Sequence, residues 1–230
     1  MNPCLRILAA LLLSASALPA MGARPFVTDD ARVVDAGGCQ IETFAKRQSR
    51  LDEREFWFLP ACNPWGSVEL TLGGTRVDGN APGDSRSTLL QAKTLIRALQ
   101  TNGTGLALTV GLVQTEPFRA PSAQSPYFNA IASSSFADDR IVLHANLGGI
   151  SDKVAGLNRG TWGLGAEVML HARLYGILES YGQRGEKPTR HMGLRVWIVP
   201  NKVQVDGTLG QQQSGPPERR FQSIGLRLLF

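Results

Sequence analysis

From residue 39 to the end of the chain, apolar and polar residues alternate in runs of about 8–11 residues. Successive side chains of a strand point to opposite faces, so each run predicts a strand with one apolar and one polar face. Runs of this length suit tilted strands that cross a bilayer. The fold class predicted is all-β, a transmembrane antiparallel up-and-down β-barrel of about 12 strands. The predicted strands are 39–47, 54–61, 67–77, 87–98, 104–113, 127–135, 141–150, 161–170, 174–182, 191–199, 202–210 and 222–230.

The last run, residues 222–230, places Ile224, Leu226, Leu228 and Phe230 on one face. An exposed apolar strand end is unusual in a soluble protein, because it frays and promotes aggregation. Alternation that ends in Phe resembles the closing strand of Gram-negative outer-membrane barrels, where it is part of the assembly signal. This resemblance implies a location in the outer membrane, with membrane lipid and the assembly machinery as partners.

The N-terminal residues have the pattern of a secretory signal peptide. Arg6 precedes an apolar run at 7–13, and residues 14–23 are rich in small side chains, with cleavage expected after Gly22 or Ala23. The alternative, a membrane anchor, would need a longer run to cross about 30 Å of hydrocarbon. The predicted organisation is a signal peptide at 1–23, a periplasmic N-terminal segment at 24–38 and the barrel at 39–230.

The charge pattern argues against a nucleic-acid partner. The net charge falls from +5 to +4 on cleavage, because Arg6 is the only charged residue removed. The remaining basic residues are scattered among acidic ones, without a basic block or interleaved aromatic residues.

Two cysteines, Cys39 and Cys62, remain after cleavage. In an oxidising compartment an even pair is read as a disulfide. If the first two strands form a hairpin near residues 49–53, the two cysteines lie opposite each other and clamp its open base. A metal pair is the alternative, but further Cys or His ligands are missing nearby.

The predicted connections alternate in length. Those on the periplasmic side are short, whereas those on the outer side, such as 114–126 and 211–221, are longer and richer in Gly, Pro and Ser. This difference is typical of outer-membrane barrels. We expect those two outer connections to shape the entrance.

Polar residues of one strand parity are predicted to line the lumen, because a charge that faces lipid costs about 2–4 kcal/mol near the midplane. They either form a selectivity lining that orients solutes or pair with one another to fill a narrow structural core. The predicted lining residues are Glu42, Glu69, Gln91, Lys93, Arg97, His144, Glu167, Arg195, Asp206 and Arg227.

The sequence does not predict an enzyme. Of the three histidines only His144 falls mid-barrel on the lumen parity, and it is interpreted as a packed pore residue. The carboxylate pairs Asp29–Asp30 and Asp138–Asp139 are interpreted as solvated turn residues on the periplasmic side. No catalytic residues, metal site or cofactor are expected.

Three sequence elements occur together in this chain: RPFVTDDAR at 24–32, CQIE at 39–42, and PACNP at 60–64 leading into VELTLGG at 68–74. With QAKT at 91–94 they resemble the outer-membrane proteins grouped as the MetA-pathway of phenol degradation family. That resemblance implies an outer-membrane barrel linked to uptake of small, often aromatic, compounds. It implies no catalytic residues.

The function expected from the sequence is a passive channel for small, organic or aromatic, solutes with a mixed-charge lumen. The alternatives are a plugged structural barrel without a transport role and an outer-membrane hydrolase.

Overall fold

The computed structural model describes residues 26–48, 53–79, 84–117, 121–212 and 219–230. They form one closed antiparallel barrel of twelve strands, which confirms the predicted fold class. In this described part, no helix is long and apolar enough to span a membrane. The strands are β1 (Cys39–Gln48), β2 (Glu53–Cys62), β3 (Val68–Asp78), β4 (Ser85–Arg97), β5 (Thr104–Pro117), β6 (Ala123–Phe136), β7 (Ile141–Asp152), β8 (Leu157–His171), β9 (Leu174–Gln183), β10 (Thr189–Val199), β11 (Val203–Gln212) and β12 (Arg219–Leu229).

The barrel closes between its first and last strands. Each strand pairs with its neighbours in sequence, and β1 pairs with β12 from Gln40 opposite Leu229 to Gln48 opposite Phe221. Closure leaves no sheet edge, so every strand has a hydrogen-bonding partner on both sides. Backbone groups in hydrocarbon need such partners, since no water is available to them.

The two faces of the wall differ in chemistry, as the alternation predicts. Large aliphatic side chains point outward, and Leu72, Leu147, Leu164 and Leu209 are each about 60–70% exposed. The inward positions between them are mostly polar and buried. This outer belt has the character that the hydrocarbon of a bilayer requires.

The expected difference in connection length is largely absent. Gln114 pairs with Gln124 and Thr115 with Ala123, so most of the predicted connection 114–126 extends β5 and β6. Gln211 likewise pairs with Arg220, although residues 213–218 lie outside the described residues. The prediction was wrong because it ended strands where apolar alternation ended. Backbone pairing continues through polar residues above the apolar belt.

Cys39 lies directly opposite Cys62 in the β1–β2 register, and a disulfide joins them with a Cα–Cα distance of 4.1 Å. The bond closes the base of the first hairpin, as the hairpin geometry predicts. Next to it, the N–H of Asn63 donates to the carbonyl of Gly38. The disulfide therefore fixes the point at which the chain enters the barrel wall.

We expect Cys39→Ser to loosen this hairpin base without opening the barrel, since β1 keeps its ladders to β2 and β12. Loss of a cross-link across a loop of this size costs about 3 kcal/mol. The measurement is heat-modifiable gel mobility, which should persist, together with thermolysin proteolysis near residue 39, which should accelerate. Unchanged proteolysis would show that the disulfide does not clamp the base.

Candidate functional site

Residues 26–38, here called the N-terminal segment, lie inside the barrel. Five of its residues are at most 7% exposed: Phe26, Thr28, Asp29, Asp30 and Ala31. The interpretation of Asp29–Asp30 as solvated turn residues was therefore wrong. It failed because the alternation pattern describes the wall of a barrel and contains no information about what enters its interior. Residues 1–25, with the expected signal peptide and the first part of the predicted segment 24–38, lie outside the described residues.

The first part of the segment is held through its backbone by one buried carboxylate. The N–H of Val27 donates to Glu179 at 2.9 Å, and the N–H of Thr28 donates to the same carboxylate. Nδ1 of His191, from the neighbouring strand, lies 2.7 Å from Glu179 Oε2. Three groups thus converge on Glu179, which is the pairing that a buried carboxylate requires.

The middle of the segment is held by two neutral side chains. Asn146 accepts the N–H of Asp29 at 2.7 Å and donates to its carbonyl at 2.9 Å, so it pairs with the segment much as another strand would. Ser133 Oγ accepts the N–H of Ala31 at 2.9 Å. These contacts fix the position of the segment along β6 and β7.

A buried ion cluster joins the segment to β4. Nζ of Lys93 lies 2.7 Å from Asp29 Oδ1 and 3.3 Å from Asp30 Oδ1, and all three side chains are at most 10% exposed. Burial raises the pKa of Asp29 to about 6, with Lys93 acting in the opposite direction. Burial acts on Asp30 in the same way, but Lys93 and Arg32 outweigh it and hold the pKa of Asp30 below its usual value. Asp30 therefore keeps its negative charge to lower pH than Asp29 does.

A second ion cluster connects the segment to β8 and β10. Nη1 of Arg32 lies 3.8 Å from Glu167 Oε2 and 3.6 Å from Asp30 Oδ2. Glu167 also forms an ion pair with Arg195. The segment thus supplies both a basic and two acidic side chains to a charged interior.

At the base of the barrel the segment reaches β3 and the connection between β2 and β3. The N–H of Val34 donates to Glu69 Oε2 at 2.8 Å, and Asn63 Nδ2 donates to the carbonyl of Val34 at 2.7 Å. The N–H of Gly37, at a positive φ of 77°, then donates to the carbonyl of Asn63. This turn redirects the chain from the lumen into β1.

Two inward-facing glycines of β8 make room for the segment. A Cβ at Gly163 would overlap Oγ1 of Thr28, and a Cβ at Gly165 would lie 2.9 Å from the ring of Phe26. A larger residue at either position would require the side chain of Thr28 or Phe26 to move. The inner face of β8 is therefore complementary in shape to the N-terminal segment.

Little empty space remains around the segment. Two interior cavities border it, with volumes of about 30 Å³ and 40 Å³. Each has room for only one or two water molecules. Elsewhere inside the wall Trp57, Leu59, Leu89 and Val113 form a buried apolar cluster. In this conformation the segment and the cluster occupy much of the interior.

Most of the predicted lining residues lie together inside the wall. Glu42, Glu69, Gln91, Lys93, His144, Glu167, Arg195 and Asp206 are buried, and Arg227 is half-buried beside Glu42. Arg97 is separate from this group. A register shift between Leu95 and Arg97 ends the strict alternation of β4, so Arg97 pairs with the outward Leu106 and is exposed.

A row of three residues has the composition of a hydrolase triad. Ser133 Oγ lies 2.9 Å from His144 Nδ1, and His144 Nε2 lies 3.9 Å from Glu167 Oε2. However, Ser133 already accepts a hydrogen bond from Ala31, and Glu167 pairs with Arg195. The row therefore acts here as a support for the segment. Within the described ranges, no group of three or more His, Cys, Asp or Glu residues could hold a metal ion.

Several anchors of the segment were not among the predicted site residues, notably Glu179, Ser133 and Asn63. Two signals in the sequence could have indicated an occupant of the lumen. The polar segment itself contains adjacent aspartates, and β8 places glycines at two successive inward positions, Gly163 and Gly165. Neither signal identifies the anchors, because these depend on where the segment lies across the barrel.

A family model described as uncharacterised conserved protein UCP029691 matches residues 8–230. The chain belongs to that family. No curated protein matches its sequence. The name of the MetA-pathway family, expected from the resemblance above, is not confirmed by this match.

Solved structures share the barrel fold. The KdgM porin in complex with disordered oligogalacturonate is similar with a TM-score of 0.61 at 10% identity, over 82% of this chain and 98% of that chain. The COG4313 outer membrane channel from Pseudomonas putida F1 has a TM-score of 0.60 at 13% identity, over 87% and 98%. The NanC porin has a TM-score of 0.59 at 7% identity, over 82% and 98%. At these identities the likeness concerns the fold alone.

We expect Lys93→Met to release the N-terminal segment, because Asp29 and Asp30 would then be buried without their ammonium partner. Removal of one side of a buried ion pair costs about 3–5 kcal/mol. The measurement is trypsin cleavage after Arg32 in the folded barrel, which should be slow in the wild type and fast in the variant.

Arg97→Met is the matched control, since it removes a cation from the exposed end of the same strand. It should leave Arg32 as protected as in the wild type. Equal cleavage in both variants would contradict the assignment of Lys93 as the anchor of the segment.

Proposed function

We propose that the protein is an outer-membrane β-barrel that acts as a passive channel for small solutes, and that its N-terminal segment closes the lumen in this conformation. The observation that supports this most is the nature of the contacts to the segment. They are mainly hydrogen bonds and ion pairs to the wall, which water and solute can replace. The similarity to porins and outer-membrane channels is consistent with the proposed location and role.

The proposed selectivity is for cations. Among the charged side chains of the described strands, six acidic residues but only two basic ones are buried. The half-buried charged side chains of these strands are balanced, so the acidic residues stay in excess: three are acidic (Glu55, Asp78 and Asp152) and three are basic (Lys46, Arg159 and Arg227). A narrow passage with a net negative wall raises the local concentration of cations. The six acidic residues are Glu42, Glu53, Glu69, Glu167, Glu179 and Asp206, and the two basic ones are Lys93 and Arg195.

Small organic compounds are the proposed solutes. The resemblance to the MetA-pathway family supports this class of solute. An organic cation would agree with that resemblance and would also be attracted by the acidic lumen. Inside the wall, Phe44 stacks on the buried Trp57 with 5.5 Å between ring centroids, so aromatic side chains are also part of the interior. The protein is proposed not to be an enzyme.

The alternative is a permanently plugged structural barrel. The buried cluster of Trp57, Leu59, Leu89 and Val113 favours it, because an apolar cluster does not yield to water as a polar network does. The two functions differ in one respect: whether the lumen conducts once the segment has left it.

We expect Gly163→Val to open the channel, since its side chain would occupy the space of Thr28. The measurement is single-channel conductance in a planar bilayer. The wild type should be mostly closed, and the variant should show steady openings. Gly160→Val is the matched control on the same strand, where the nearest heavy atom to an added Cβ is 3.9 Å away. A folded but silent Gly163→Val barrel would favour the plugged structural barrel.

In the opened channel, the reversal potential in a KCl gradient should have the sign of a K⁺ preference. Glu179→Gln should reduce that preference, because it removes a lumen charge. Glu116→Gln, at an exposed position of β5, is the control and should leave the reversal potential unchanged. A Cl⁻ preference would contradict the proposed selectivity.

A further inference from the structure

The larger of the two interior cavities, with a volume of about 40 Å³, lies between the N-terminal segment and one mouth of the barrel. Val27 and Thr28 of the segment line it on one side. Gln183, Thr189 and Gln212 also line it, and they are terminal residues of β9, β10 and β11. Odd-numbered strands begin at the base of the barrel, so these strand ends are at the opposite mouth. A ligand in this cavity would contact the wall and the segment at once.

The amide oxygen of Asn129 is a buried acceptor in this cavity. Asn129 is 3% exposed, and its Oδ1 has no hydrogen-bond partner among the described residues. The orientation of the amide is fixed, because its Nδ2 donates to Asn146 Oδ1 at 2.8 Å. Asn146 is itself oriented by the backbone N–H and carbonyl of Asp29. Reversal of the Asn129 amide would oppose two acceptors, so its oxygen is the atom left facing the cavity.

Two threonine hydroxyls lie beside this oxygen. Thr28 Oγ1 is also buried, and within the described ranges it has no partner. Thr161 lines the cavity from β8, and Gly148 stands between Asn129 and Thr161 in register. A Cβ at Gly148 would lie 2.8 Å from Thr161 Oγ1 and 3.1 Å from Asn129 Oδ1. The missing side chain of Gly148 therefore leaves a space bordered by both oxygens.

This arrangement suits a small ligand that donates hydrogen bonds. An ammonium group carries only donors, and its size matches a cavity with room for one or two water molecules. The carboxylate of Glu179 accepts the N–H of Thr28, and a negative charge so close favours a cation over a neutral donor. None of the three oxygens belongs to a carboxylate, whereas Mg²⁺ and Ca²⁺ are usually held by carboxylates.

We propose that this cavity binds an ammonium group, either the ammonium ion or the head of a small primary amine, between Asn129 Oδ1 and the hydroxyls of Thr28 and Thr161. Thr28 belongs to the segment, and the orientation of Asn129 depends on Asp29. The site is therefore complete only while the segment lies in the lumen. A ligand that binds only this state stabilises it, so a bound ammonium group holds the segment in place. The inference depends on the position of the segment and not on conduction.

Amide exchange of the mature full-length barrel in lipid, near neutral pH, tests this coupling. The N–H groups of Ala31 and Val34 are the reporters, since neither residue lines the cavity and both donate to the wall. Methylammonium chloride, at ten times its dissociation constant, should slow their exchange about 10-fold. Tetramethylammonium chloride at equal ionic strength has no N–H donor and should have no effect. Equal slowing by both salts, or no slowing by methylammonium, would overturn the proposal.

Thr28→Val combined with Thr161→Val removes two of the three oxygens with little change of shape. The methylammonium concentration needed for the same slowing should rise at least about 10-fold. Thr71→Val is the matched control, because Thr71 is a buried inward threonine beside the other small cavity. It should leave that concentration unchanged. Each variant is compared with itself without methylammonium, so a change in its basal exchange does not affect the result. An unchanged response of the double variant would contradict the assigned site.

Butylammonium chloride and ammonium chloride distinguish the two sources of the group. Slowing by both would show that the site accepts the head of a larger amine whose chain extends toward the mouth. Slowing by ammonium and methylammonium without butylammonium would show a site for small ions. Because conductance is not measured, a silent channel would leave these results unaffected.

Discussion

The contact of Lys93 with Asp29 and Asp30 is the interaction on which the arrangement of the interior depends. A lysine buried in a protein interior needs carboxylate partners, and Asp29 and Asp30 of the segment add to the cross-strand Glu69 around Lys93. Asp29 and Asp30 reach Lys93 only if the segment enters the lumen. The neighbouring contacts at Glu179 and Asn146 then fix the segment along its length. The interior is thus completed by a part of the chain that lies outside the twelve strands.

The inner and outer faces of the barrel wall differ in what fills the space beside their glycines. On the inner face, Gly163 and Gly165 leave space that the segment fills. On the outer face, Gly207 leaves space that nothing in the described chain fills. A narrow barrel has few ways to hold a ligand on either face, because large side chains occupy most positions. Missing side chains are therefore the most direct indication of where something else is accommodated.

The barrel was predictable from the sequence because polar and apolar residues alternate with a period of two. This period indicates the strands and fixes which face of each strand points inward. That period also placed residues such as Glu167 and Asp206 inside. It failed at Arg97, where a bulge shifts the face, and at 114–126, where polar strands continue the ladder. The docking of the segment was not predictable from a local pattern, since its partners are up to 152 residues away in sequence.

The central claim is that the N-terminal segment resides in the lumen, and backbone amide exchange in lipid tests it most directly. The N–H groups of Val27, Thr28, Asp29, Ala31 and Val34 donate to buried side chains, so their exchange should be slowed at least about 100-fold relative to a free peptide. The exposed Asp35 and Ala36 serve as internal references. Exchange of all seven amides at free-peptide rates would contradict the account.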